Sequence, residues 1–282
     1  MINLRNFSAK VADAIACTDT GWEIVSKTLV RWSQYLCQSR REVESRRVIE
    51  HEPALQEIFR KALVIEGPFA GMNYAHATAF CSAYHPKILG TYEAELIPAM
   101  NAFLDRGYST VVDVGAADGF YAVGFALKLP QARIIAYEQS PRARKQLGIL
   151  ARTNRVDGRI DIRERCESAD LLTLPDSGGL MIMDCEGYED VLLEQSTIAR
   201  LSRWDFLIET HDGFSRGVTR RLIERFNASH DVTVVDTVHD LDKADRYLPS
   251  CIAHLPRIHQ DLLLSEQREH ATLRWLVCHS RI

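Results

Sequence analysis

From about residue 110 onward, short apolar runs alternate with stretches of helical period. TVVDV (110–114), ARIIAYE (132–138), RIDIRE (159–164), GLMIMD (179–184), WDFLIET (204–210), DVTVVDT (231–237) and LRWLVCH (273–279) read as strands. Residues 120–129, 141–153, 187–200 and 215–228 carry apolar positions three and four apart and read as helices. Strands that are apolar on nearly every position, separated by helices, predict a mainly parallel sheet covered on both faces. The fold class is therefore α/β, with seven strands in one sheet.

Over residues 1–66 the period is helical. GWEIVSKTLVRWSQYL places Trp22, Ile24, Val25, Leu29, Trp32 and Leu36 at helical spacing, and PALQEIFRKALVI repeats the pattern. An aromatic stripe of this kind predicts core packing. Residues 67–92 lose the period and mix glycine, proline, histidine and aromatics, as a lid or substrate segment would. TYEAELIPAMNAFLDRG then predicts a helix ending at Gly107. The expected organisation is a helical extension over 1–66, a loop-rich segment over 67–92 and the α/β domain over 93–282.

Composition narrows the classes. A chain of 282 residues with 46% hydrophobic and 26% charged positions can bury a sizeable core. A net charge of -4 argues against non-specific nucleic-acid binding, which needs a basic face. Arg40, Arg41, Arg46 and Arg47 do cluster, but Glu42, Glu44 and Glu50 are interleaved with them, which suits a solvated helix laced with ion pairs. The seven cysteines are scattered, without C-x-x-C spacing, and fit a reducing compartment better than a disulfide or zinc framework. With no signal-like N-terminus and no long apolar run, the expectation is a cytoplasmic protein without membrane or nucleic-acid partners, its oligomeric state left open.

The chemistry concentrates after the first strand. Gly115-Ala116-Ala117-Asp118-Gly119 follows Asp113 and opens a helix at Phe120. Such a loop lets a ligand approach backbone, and the helix offers unpaired N–H groups. A dinucleotide fingerprint needs G-x-G-x-x-G, and Ala117 and Phe120 stand at its second and third glycines. VVDVGAADG instead resembles the first motif of class I S-adenosylmethionine (SAM) methyltransferases. The second strand ends IIAYE, which puts Glu138 where an acid accepts hydrogen bonds from both ribose hydroxyls. GLMIMDCEGYEDVLL, with its D-x-E-G-x-E run from Asp184 to Glu189, and FLIETHDG after it resemble the FkbM-type methyltransferases; the likeness spans residues 67–279.

The resemblance implies a Rossmann-like fold and O-methylation of a hydroxyl on a sugar or other small molecule. It places Asp113, Gly115, Ala117, Gly119, Tyr121 and Glu138 at the cofactor. Asp184 falls near the cofactor's amino group or the reacting hydroxyl, Cys166 and Glu167 in the adenine region, and Tyr92 and Glu93 over the methionine end. An alcohol acceptor must also lose a proton. His211, just past a strand end, is the candidate base. Alternatively Asp184 and Glu209, with His211 or Asp212, gather a magnesium-like ion. A plainer reading has Asp184 capping a helix, Glu209 in an ion pair, and Glu186 and Glu189 as first-turn acids. Tyr74, His76, Tyr84 and His85 fall in the expected lid, while the later histidines show no metal spacing. The competing class is a non-catalytic nucleotide-type scaffold, which retention of Asp113, Glu138 and Asp184 disfavours.

Overall fold

A computed structural model describes residues 18, 36–37, 40–80, 82–213, 216–266 and 273–282. Contacts divide the chain into two compact units, Met1–Glu52 and Pro53–Ile282. In the first, residues 40–51 form a helix (α1) on which Glu44 pairs with Arg40 and Arg47, as the interleaved charges predict. The aromatic stripe from Trp22 to Trp32 lies outside the described residues.

The second unit is built on a seven-stranded sheet: β1 (Thr110–Val114), β2 (Arg133–Tyr137), β3 (Ile160–Arg163), β4 (Leu180–Met183), β5 (Asp205–Thr210), β6 (His230–Asp236) and β7 (Arg274–Ser280). Their order is β3-β2-β1-β4-β5-β7-β6, parallel except for β7, which runs against both neighbours. This is a Rossmann-like α/β fold, with the strand order reversing between β1 and β4. All four residues of β4 and all six of β5 are buried, which accounts for the unbroken apolar runs.

The helices that concern the site are α2 (Pro53–Lys61), α3 (Tyr84–Leu89), α4 (Ile97–Arg106), α5 (Phe120–Lys128), α6 (Pro141–Thr153), α7 (Ser168–Leu172), α8 (Glu189–Leu192), α9 (Gln195–Arg200) and α10 (Val218–Phe226). Local chemistry sets several ends. Ser140 caps α6 by accepting from the Ala143 N–H at 3.4 Å, with Pro141 pre-set at the first position. α4 stops at Gly107, which takes a positive φ of 68°. The single helix expected over 187–200 is instead two, α8 and α9, with Glu194 extended between them.

The segment expected as a lid or substrate segment is part cleft wall and part core: Phe80, Ser82, Lys87 and Tyr92 line the cleft described below. Residues 53–66 fall in the same unit as the sheet, and much of 67–92 is core. Phe69, Met72 and Tyr74 are almost fully buried, and the Phe69 ring meets Phe120 and Phe125 edge-on at 5.3 Å. Tyr84 and His85 pack against Phe59 of α2, and His76 is exposed. The aromatics that spoil the period are anchors for an irregular segment, which needs large rings because it has no regular face to bury.

Candidate active site

The turn after β1 is shaped by protein contacts. Gly115 has φ +88°, and a Cβ there would lie 1.7 Å from the Asp184 carbonyl oxygen after β4. Gly119 has φ +93°, and its Cβ would lie 2.7 Å from Leu147 Cγ of α6. The expectation that both are bare to admit a ligand is corrected: neighbouring strand and helix fill those places, and Gly119 does not line the cleft. Ala117, with φ 46°, does line it.

That cleft, about 400 Å³, crosses the ends of β1, β2, β3 and β4 at the point where strand order reverses. Ligands of open α/β sheets bind at this position. Its wall carries six carboxylates: Asp113, Asp118, Glu138, Glu164, Asp184 and Glu186. Two cations face them, Lys87 and Arg165. Arg165 is half exposed and stacks on the Tyr188 ring, whereas Lys87 is buried.

Glu138 closes the end of β2. Its Oε2 accepts from the Ala117 N–H at 2.9 Å and its Oε1 from the Ser140 N–H at 2.6 Å. Each oxygen keeps lone-pair capacity toward the cleft. Asp113 is 2% exposed, and its Oδ2 accepts from the Ala122 N–H at 3.0 Å. Burial pushes its carboxyl up to about 7, despite that bond.

Beyond β4, one buried glutamate organises a loop. Glu189 Oε1 accepts from the Cys185 N–H at 3.1 Å, the Gly187 N–H at 3.2 Å and His211 Nδ1 at 2.9 Å. Glu186 and Gly187 both take positive φ, turning the Glu186 side chain outward. Committed to Glu189 through Nδ1, the His211 ring places Nε2 3.5 Å from Asp184 Oδ1, 3.5 Å from Glu209 Oε2 and 3.6 Å from Glu186 Oε2. Burial pulls the imidazole down, but Glu189, Glu209 and Glu186 outweigh it and hold His211 above its ordinary value. For Glu189, burial pushes up while the His211 bond and charge bring it below the ordinary carboxylate range.

One ligand atom each from Asp184, Glu186 and His211 lies within 4.8 Å of the others, so these three can hold a metal ion. The spacing suits it: oxygens about 2.1 Å from a small divalent ion sit roughly 3 Å apart when adjacent. An imidazole whose other nitrogen is held by a carboxylate is also the usual arrangement of a metal-bound histidine.

The structure thus brings together Asp113, Gly115, Ala117, Tyr121, Glu138, Cys166 and Asp184 on the cleft wall. Others it places elsewhere. Glu167 is exposed, capping α7 with Asp170, because its side chain turns back onto the helix. Glu93 is buried in its own network: its carboxylate accepts from Tyr121 and its N–H donates to Glu266 Oε1 at 2.8 Å. His211 and Glu209, each 3% exposed, stand behind Asp184 rather than on the wall. Asp212 accepts from Thr219 in the first turn of α10.

Sequence reasoning passed over Glu186 and Glu189 as helix-start acids, and overlooked Lys87, Ser82 and Asp118. For the glutamates the signal was present in the D-x-E-G-x-E spacing. For Lys87, in an aperiodic segment, there was none.

No protein-family model matches the chain, and no curated protein matches it. Solved structures similar to it include the O-methyltransferase TomG from Streptomyces achromogenes, involved in tomaymycin synthesis, in complex with SAM. TomG is 12% identical over 69% of this chain and 83% of its own, with a TM-score of 0.46. Cofactor-bound Rv0187 from MTB is 14% identical over 80% and 89%, TM-score 0.44. An O-methyltransferase from Bacillus cereus in complex with SAH is 11% identical over 63% and 77%, TM-score 0.43. These likenesses are distant, and the chemistry has to be read from the side chains of the cleft.

Proposed function

We propose that the protein is a SAM-dependent O-methyltransferase of the FkbM type, acting on a hydroxyl of a small molecule or sugar. The observation that carries this reading is a cleft at the strand-order reversal whose wall carries six carboxylates against two cations, with Glu138 at the end of β2. A nucleotide polyphosphate is repelled by such walls, whereas a nucleoside bearing a sulfonium and an ammonium is attracted. The residues fit the cofactor. Glu138 retains acceptor capacity for two ribose hydroxyls, Cys166 and Tyr188 offer apolar surface beyond β3 and β4, and Asp113 and Asp184 face the cationic end.

Bound SAM would supply a methyl group already activated by its positive sulfur. The chain's part is to align an acceptor oxygen and take its proton. His211 is poorly placed to be a free base: it is off the wall and held toward its protonated form by surrounding carboxylates. Asp184 and Glu186 reach the cleft, so they orient the hydroxyl, and His211 fixes them from behind. The same three side chains fit a divalent ion, with Glu209 adjacent and Glu189 holding the ring; such an ion would acidify the hydroxyl.

The test is calorimetric titration with SAM and S-adenosylhomocysteine (SAH), with and without magnesium or EDTA. Micromolar binding is expected, weakened about tenfold or more in Glu138→Gln, since that change removes two charge-assisted hydrogen bonds. Absence of binding to the unaltered protein refutes the reading. A magnesium-dependent gain that disappears in His211→Ala supports the ion, and its absence removes the ion from the mechanism.

A further inference from the structure

Three buried carboxylates crowd the cleft wall around the ends of β1 and β2. Asp113, Asp118 and Glu138 are 2%, 0% and 9% exposed, and all three line the cleft. Their compensation is unequal. Asp118 has the Lys87 ammonium at 2.7 Å and the Tyr74 hydroxyl at 3.1 Å. Glu138 has two backbone N–H groups, at 2.9 Å and 2.6 Å. Asp113 accepts one backbone N–H among the described residues, that of Ala122 at 3.0 Å. A single neutral donor does not offset the desolvation of a buried negative charge. Of the three, Asp113 is therefore the carboxyl that holds a proton before a cation enters the cleft.

The surroundings agree. Burial is the main cause that pushes the Asp113 carboxyl up to about 7; Glu138 and Asp118 add to it, and the Ala122 bond and Lys87 oppose it. Asp184 reaches the same wall from the loop after β4, and Tyr121 of α5 is committed to Glu93. Such a proton responds to the charge of whatever binds. SAM carries a sulfonium, an ammonium and a carboxylate, a net single positive charge, whereas SAH lacks the sulfonium charge and is neutral overall. One added positive charge several ångströms from a buried carboxyl favours the ionised form by roughly 10- to 100-fold. A neutral ligand does not.

We propose that Asp113 gives up its proton to water when SAM binds and keeps it when SAH binds, so that this one carboxyl makes the cleft prefer the charged cofactor over its spent form. This rests on the cofactor reading above and adds a residue that tells substrate from product. The sign follows from linkage. The SAM complex holds fewer protons than the ligand-free protein, so SAM affinity rises with pH up to about 7 and then levels, while this group leaves SAH affinity unchanged.

The experiment is calorimetry of SAM and SAH with the unaltered protein and with Asp113→Asn, at about pH 6, in two buffers of different ionisation heat, whose difference counts the protons exchanged. EDTA is present so that no ion at Asp184 contributes. From the unaltered protein SAM should release about 0.5 to 1 proton more than SAH does. In Asp113→Asn, whose amide oxygen can still accept the Ala122 N–H, that difference should vanish. Equal proton counts for the two ligands, or a difference that survives in Asp113→Asn, overturns the assignment. If thermal unfolding shows that the variant does not fold, the unaltered protein decides. Its SAM-to-SAH affinity ratio rises about tenfold or more from pH 5 to pH 7 if Asp113 acts as described, and a flat ratio overturns it. Binding of neither ligand to the unaltered protein overturns the cofactor reading itself, and this one with it.

Discussion

Gly124 and Phe69 provide a sharp test of whether residues 62–90 belong to the domain. Gly124 lies in the middle of α5, where glycine is ordinarily worse than alanine by about 0.5–1 kcal/mol. A Cβ there would lie 2.5 Å from Cγ of Phe69 and 2.6 Å from both Cδ atoms. The ring cannot simply swing away, because it is 1% exposed and held by Phe120, Tyr121 and Phe125. Gly124→Ala should therefore cost about 1–3 kcal/mol as overpacking, less the helix gain. Phe69→Ala leaves a cavity and should cost about 3–5 kcal/mol.

The two changes together should not add. With the ring gone the new methyl meets open space, so Gly124→Ala turns from destabilising to stabilising by about 0.5–1 kcal/mol when it is made on top of Phe69→Ala. Urea unfolding of the four proteins measures this reversal directly. If Gly124→Ala has the same effect in both backgrounds, the ring is not on the helix, and the segment that carries Ser82 and Lys87 is not anchored as described.

Gly115→Ala should prevent stable folding or cost more than about 4 kcal/mol, since it combines a positive φ with a Cβ inside contact distance of the Asp184 carbonyl; near-native unfolding would refute that contact. Asp113 predicts a pH dependence. Its carboxyl is raised from 3.8 to about 7, so its neutral form is favoured in the fold. Its contribution to stability is therefore complete below 3.8, declines as pH rises toward 7 and changes no further above that. Asp113→Asn should flatten this decline in a series of urea unfolding curves, and an unaltered slope would place the titration elsewhere.

How legible the protein was depends on which residues had a period to follow. β1, β4 and β5 stand close to their apolar runs because both faces of a central strand are buried and every position shows it. The segment 67–92 shows no period because its order comes from rings reaching distant partners, and Phe69 on Gly124 is a contact across 55 positions that no local pattern records. Glu167 and Asp184 illustrate the same limit at the site. Both are acids just past a strand, yet one turns back to cap α7 and the other faces the cleft. Only the loop geometry separates them.

The glycines of the first turn carry the deeper lesson about the site. Gly115 and Ala117 do line the cleft, but what keeps Gly115 and Gly119 bare is protein packed against them rather than a ligand. Gly115 lets the backbone after β1 lie against the Asp184 carbonyl, so the turn bearing Ala117 and the loop bearing Asp184 and Glu186 share one contact. Glu138 fastens the first turn from β2 through the Ala117 N–H, and Glu189 fastens the second loop through the N–H groups of Cys185 and Gly187. The floor of the cleft is thereby held by backbone contacts before any ligand arrives. Such preorganisation keeps binding energy from being spent on ordering loops. It also explains why the acids can crowd so closely: backbone N–H groups, rather than counter-charges alone, hold Glu138 and Glu189 in place.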